Sequence, residues 1–91
     1  MYQREVVIYA RRRSFRCWCA RRLLARAGYH FEVVEVAGEW PSGLRKRLLH
    51  GHAYRHAMPY LFVDDRPVGG LAEIKALSAS GILEHLVRGK L

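Results

Sequence analysis

The stretch EVVIYARRRSFRCWCARRLLARAGYHFEVVEV, residues 5–36, decides how this chain folds. It opens on "EVVIYA" (Glu5 to Ala10), a β-branched run readable as a buried strand, which "RRRS" then breaks. From Phe15 the period changes: Phe15, Trp18, Cys19, Leu23 and Ala27 recur at three to four, with Arg16, Arg21, Arg22 and Arg26 between them. That is helical spacing, and Gly28 is a natural stop. Ser14 stands just before the helix, where its hydroxyl can accept a backbone N–H one turn in. "YHFEVVEV" (Tyr29 to Val36) reads as a second strand. A strand–helix–strand unit of this length favours a central sheet flanked by helices, joined by a right-handed crossover.

Further along, "AGEWPSG" is punctuation, and Pro41 suits the first turn of a helix running through Leu44, Leu48 and Leu49. "YLFV" reads as a third strand. "DDRP" makes a turn into a short strand, "PVGG", which Pro67 confines to the edge of the sheet. The tail "LAEIKALSASGILEHLVRGKL" gives one helix to about Ala79 and a shorter one after Gly81. The order β-α-β-α-β-β-α-α therefore predicts an α/β unit over residues 1–91, a single domain without linker, repeat or low-complexity segment.

Of the 91 residues 51% are apolar, enough for one layered core without disulfide staples. No apolar run approaches the ~20 residues that span a bilayer, so no membrane is expected. "MYQREVVIYA" has an early Glu5 and no small-residue cleavage site, so it does not read as a secretory signal. Two cysteines two positions apart offer no disulfide framework, and a reducing cytoplasm is the expected setting. On a helix they point about 200° apart, so Cys17 is expected toward a site and Cys19 on the opposite side, packed under the sheet. "HGHAYRH" brings together His50, His52 and His56, but the spacing fits no standard finger and no metal is expected.

The formal charge is +8, and Arg11, Arg12, Arg13, Arg16, Arg21, Arg22 and Arg26 crowd one stretch. Such a cluster either attracts anions (nucleic acid, an acidic protein face, a carboxylate-bearing small molecule) or is a solvated helix face. Nucleic acid ranks last among these, because the interleaved surface aromatics used by single-strand binders are not evident.

A cysteine motif after the first strand, within this element order, resembles the thioredoxin fold and specifically glutaredoxin. "VVIYA" followed by four residues and a helix resembles the start of that family, where a strand leads into C-P-Y-C. "ARRLL" resembles the run that follows the motif, and "AMPYLFVDDRPVGGLAEI" resembles the family's threonine-valine-proline segment, hairpin and double glycine. The resemblance covers nearly the whole chain and implies a thioredoxin-like, four-stranded mixed sheet flanked by helices. Counting back from Ala20 places Cys17 on the second motif cysteine and Ser14 on the first, with Phe15 and Arg16 replacing proline and tyrosine. Cys19 has no counterpart.

That departure matters because the family's attacking thiolate comes from the first position. A serine hydroxyl is a poor nucleophile without an adjacent base. Cys17, three residues into the helix, would lie within the field of the helix start and near Arg11, Arg12, Arg13 and Arg16, which favour a thiolate provided the sulfur is not buried among apolar groups. The resemblance further implies a cis peptide before Pro59, leaving the Met58 backbone to pair with a bound peptide. Ala57 replaces the usual threonine. It implies a γ-glutamyl site over Gly70, Leu71, Ala72 and Glu73, where Ala72 has lost one acid of the family's pair and Glu73 keeps the other. Arg11 takes the place of the lysine that faces the glycyl carboxylate. Some members bridge an iron–sulfur cluster through the first-position cysteine, which Ser14 replaces.

The expected function is a glutathione-dependent thiol–disulfide oxidoreductase acting on mixed disulfides, with Cys17 as the remaining thiol and glutathione as co-substrate. Its partners would be glutathione and glutathionylated or disulfide-containing proteins, met by a cytoplasmic monomer. The alternative is a redox-inactive glutathione- or peptide-binding module, with Ser14 natural or introduced in place of the nucleophile.

Overall fold

The computed structural model describes residues 3–36 and 58–89. The helix expected through Leu44, Leu48 and Leu49, the histidines of "HGHAYRH" and Ala57 lie outside the described residues. Within them run β1 (Val6–Ala10), α1 (Phe15–Arg26), β2 (Glu32–Glu35), β3 (Tyr60–Val63), β4 (Arg66–Gly69), α2 (Leu71–Ser80) and α3 (Ile82–Arg88). The strands form one mixed sheet in the order β2-β1-β3-β4. β1 and β2 are parallel, with Ile8 opposite Val33, while β1–β3 and β3–β4 are antiparallel. This is the α/β arrangement that the element order predicts, with the thioredoxin-like four-stranded mixed sheet that the resemblance implies.

Several strand boundaries differ from expectation by a residue or more, and the starts of β2 and β4 have clear physical reasons. β2 starts at Glu32 rather than Tyr29, because the residues before it are held by other partners. The Tyr29 N–H donates to the Leu24 carbonyl (3.2 Å) as α1 ends, and Arg88 lies 5.3 Å over the Tyr29 ring. The Gln3 side chain accepts the His30 N–H at 2.9 Å and donates to the His30 carbonyl, so those groups never join the ladder. β4 starts at Arg66, one residue before Pro67, because the turn consists only of Asp64 and Asp65. Both carry positive φ (49° and 66°), as a two-residue hairpin turn of matching twist requires. The Asp64 carboxylate accepts the Glu5 N–H at 3.0 Å, fixing the turn to β1. Pro67 sits on the edge strand opposite Phe62, beside a register shift.

Alternation along β3 divides the core between two clusters. Leu61 and Val63 join Val6, Ile8, Ala20, Leu24, Ile74, Leu83 and Val87, the cluster that packs α1, α2 and α3 on the sheet. Tyr60 and Phe62 join Ala10, Cys17, Val36 and Met58 in the second.

The face that α1 buries is not the one its large apolar residues suggest. Cys17, Ala20 and Leu24 are buried, whereas Phe15 and Trp18 are exposed and Cys19 and Leu23 only half-buried. Small side chains at 17 and 20 let the helix backbone approach the sheet, which bulky rings would hold away. Among the described residues no helix is long and apolar enough to cross a membrane.

Candidate functional site

α1 starts where β1 ends, and Ser14 caps it. The Ser14 Oγ accepts the Cys17 N–H at 3.3 Å, and the Ser14 carbonyl accepts from Trp18 at 2.9 Å. Arg13 just before it has φ 60°, a left-handed conformation that turns the chain into the helix. The first turn contains no acid, and Arg12, Arg13 and Arg16 are exposed around it. Backbone N–H groups and arginines thus make this corner electropositive.

Cys17 occupies the inner side of that turn. Its sulfur accepts the Arg11 backbone N–H at 3.3 Å, and it shares the second core cluster with Ala10 at the end of β1, Val36 after β2, and Met58. Its residue is only 2% exposed. It packs in the same cluster as Met58, and the condition that the sulfur not be buried among apolar groups is not met. Cys19, on the other side of the helix from Cys17 as expected, is half-buried and packs against the main core cluster, while lining a surface groove with Trp18, Arg22 and Leu23.

The Met58–Pro59 peptide bond is cis, and both residues are buried at the entrance to β3. The start of α2 meets it there: a Cβ added at Gly70 would lie 3.4 Å from the Pro59 carbonyl oxygen. Gly69 is required more strongly. It has φ +146°, and a Cβ there would fall 2.6 Å from the Glu73 Cβ. The Glu73 Oε1 accepts the Gly70 N–H at 2.8 Å, so this acid already caps its own helix. Ala72 is exposed beside it, while the Leu71 side chain is buried in the main core and leaves only its backbone for the site.

Ser14, Cys17, Met58, Pro59 and Gly70–Glu73 are thus gathered by the ends of three strands and the starts of two helices. Arg11 is present differently than expected: its Nη1 donates to the Val36 carbonyl at 3.5 Å, beyond β2. Tyr60 was missed by the sequence reading. Burial first, and then the nearby Glu73 carboxylate, push its phenol above the ordinary 10.0. Its position directly after Pro59 was the available signal.

No family model matches the chain. Monothiol glutaredoxin-S2 of Oryza sativa subsp. japonica is 41% identical over 83 residues, which are 91% of this chain and 63% of that protein. A probable glutaredoxin of Synechocystis is 30% identical over 78% of each chain. The solution structure of glutaredoxin from Brucella melitensis superposes with a TM-score of 0.74 at 31% identity, covering 98% of this chain and 95% of that one. The chain belongs to the glutaredoxin family. It spans 63% and 56% of the length of two curated rice glutaredoxins that it matches.

Proposed function

We propose that this glutaredoxin is a glutathione-dependent thiol–disulfide oxidoreductase acting on mixed disulfides, with Cys17 as its exchanging sulfur. One observation carries the proposal: the Cys17 sulfur, held by the Arg11 N–H, packs in the same cluster as Met58. The glutathionyl group would lie between the start of α1, with Arg11, Phe15 and Arg16, and the Met58–Pro59 backbone. The first-turn N–H groups of α2, from Leu71 onward, suit its γ-glutamyl carboxylate, and Glu73 its ammonium. Since Gly70 already donates to Glu73, recognition there rests on fewer free groups than two acids would supply.

Exchange needs a thiolate and an in-line approach. The Cys17 thiolate attacks the glutathionyl sulfur, the substrate S–S bond breaks, and the partner leaves as a thiolate that takes up a proton. A second glutathione thiolate then attacks the mixed disulfide, forming glutathione disulfide and releasing Cys17. One mixed disulfide is reduced and one glutathione is oxidised, its sulfur joining the glutathionyl group taken from the substrate. Such a cycle needs one protein sulfur only, in keeping with the "monothiol" in the rice relative's name. Because Cys17 is covered, its approach requires the first turn of α1 to open. Proteins bearing glutathionyl groups or disulfides, in a reducing compartment such as the cytoplasm, are the substrates this chemistry serves.

Burial of Cys17 favours a second reading, a glutathione-binding module without turnover. Reduction of a glutathione mixed disulfide, with mass spectrometry of the trapped adduct, separates them. Turnover that Cys17→Ser abolishes and Cys19→Ser retains is the expected result. No turnover in the native chain, with rapid turnover in Ser14→Cys, would establish the binding module instead.

A further inference from the structure

The face of α1 opposite the sheet carries a second arrangement, which shares only Phe15 with the proposed glutathione site. Phe15, Trp18, Arg22 and Arg26 stand at i, i+3, i+7 and i+11, so they line one side of the helix. Phe15 is 73% exposed and Trp18 50%. Their rings stack at a centroid distance of 5.8 Å and an interplanar angle of 23°. The Arg22 guanidinium lies 5.3 Å from the Trp18 centroid, extending the stack. Trp18, Arg22 and Arg26 continue into a groove of about 450 Å³, bounded on the far side by Ser78 of α2.

The surface aromatics whose absence ranked nucleic acid last are therefore present, set among arginines. α1 contains no acidic residue, and among the described residues no carboxylate pairs with Arg16, Arg21, Arg22 or Arg26. Open rings and unneutralised guanidiniums together select the occupant. An acidic protein face would satisfy the charge but has no need of a stacked ring. A duplex satisfies the charge but keeps its base faces to itself. A single strand offers phosphates and open base faces together.

We propose that the outer face of α1 binds single-stranded nucleic acid, with a base stacked on the open side of Phe15 and phosphates on Arg22 and Arg26. Trp18 lies between Phe15 and Arg22 and holds the platform flat. Recognition is through stacking and charge, so it tolerates any base sequence.

The test uses the full chain and a fluorescein-labelled oligo(dT) of about 15 nucleotides, within the span such surfaces cover, followed by anisotropy from about 50 to 200 mM salt. Affinity is expected to fall with salt, with a log–log slope of roughly −0.7 for each phosphate neutralised. Removing either ring alone leaves a stacking face, so the decisive variant is Phe15→Ala with Trp18→Ala. It is expected to weaken binding about 5- to 150-fold, the range of a base–aromatic stack, and Arg22→Ala with Arg26→Ala to flatten the salt slope. All four side chains are exposed, and circular dichroism verifies that the variants are folded. Cys17→Ser, which removes the exchange chemistry, leaves strand affinity unchanged. Equal affinity for an abasic strand, a duplex or poly-glutamate, or indifference to the double ring deletion, overturns the proposal and leaves a general polyanion surface.

Discussion

Replacing Ser14 by alanine tests whether Cys17 becomes reactive through the first turn of α1. The Ser14 Oγ accepts the Cys17 N–H at 3.3 Å, the side-chain bond that holds this turn at its start. Removing an N-cap of this kind costs about 0.5–2 kcal/mol. At 3.3 Å the bond is slightly longer than the usual N–H···O range, so a value near 1 kcal/mol rather than the upper end is appropriate. The Trp18 bond to the Ser14 carbonyl is retained, because it is made by the backbone. A turn destabilised by about 1 kcal/mol opens about five times more often, so a thiol that reacts only when it is open should be alkylated about five times faster.

The assay is alkylation by excess iodoacetamide under native conditions, read at each cysteine by mass spectrometry. Cys19 is half-buried and reacts without any opening, so it is the internal reference. In the native chain Cys17 should lag Cys19 by one to several orders of magnitude, and Ser14→Ala should accelerate Cys17 alone. Global unfolding would rise by the same factor, but that route is strongly urea-dependent, whereas opening of one turn exposes little surface and is nearly urea-independent. Should Cys17 react as fast as Cys19 in the native chain, the sulfur is not covered. Should its rate follow only the steep urea dependence, the turn is not the gate, and exchange at Cys17 loses its route.

Gly69→Ala should cost roughly 2 kcal/mol or more in urea denaturation, since φ +146° suits only glycine and the new Cβ would meet the Glu73 Cβ at 2.6 Å. An unchanged midpoint would show that α2 can shift its first turn freely. The chain should also lose stability as pH rises past about 10: the Tyr60 and Tyr29 phenols are both raised by burial, so the unfolded chain ionises first and binds fewer protons than the folded one. Thermal melts from pH 8.5 to 11 should show a shallower decline for Tyr60→Phe, and an identical decline would remove Tyr60 from the balance.

What the sequence made legible follows from how strongly each signal is local. Ser14 as a cap, Gly28 and Gly81 as helix ends, and the Asp64–Asp65 turn are all set by the conformational preferences of the residues themselves. The orientation of α1 was not legible in this way. Two stripes on that helix carry its apolar residues, one with Phe15, Trp18, Cys19 and Leu23, which Arg22 and Arg26 interrupt, and one with Cys17, Ala20 and Leu24. Hydrophobicity favours the first. Packing against the sheet selected the second, because Cys17 and Ala20 are thin enough to admit the β1–β3 surface. Size complementarity is a property of two elements at once, and a periodicity along one of them does not contain it. The same holds for Glu73, whose bond to the Gly70 N–H depends on the Gly69 conformation.

That choice of face also fixes how the site can work. By packing on its thin side, α1 turns its only sulfur near Met58 inward and leaves a hydroxyl at its tip. The hydroxyl cannot exchange with a disulfide, but its bond to the Cys17 N–H helps hold the turn that carries the buried sulfur. Ser14 therefore acts on reactivity through the stability of one turn rather than through its own chemistry. A cysteine at 14 would weaken the cap, because sulfur is a poorer acceptor than a hydroxyl oxygen, while placing a thiol at the exposed end of the helix. Both effects raise exchange, and they separate by residue: a trapped glutathione adduct at position 14 reports the new thiol, and one at Cys17 reports the loosened turn. If neither position carries glutathione in Ser14→Cys, the corner does not bind it.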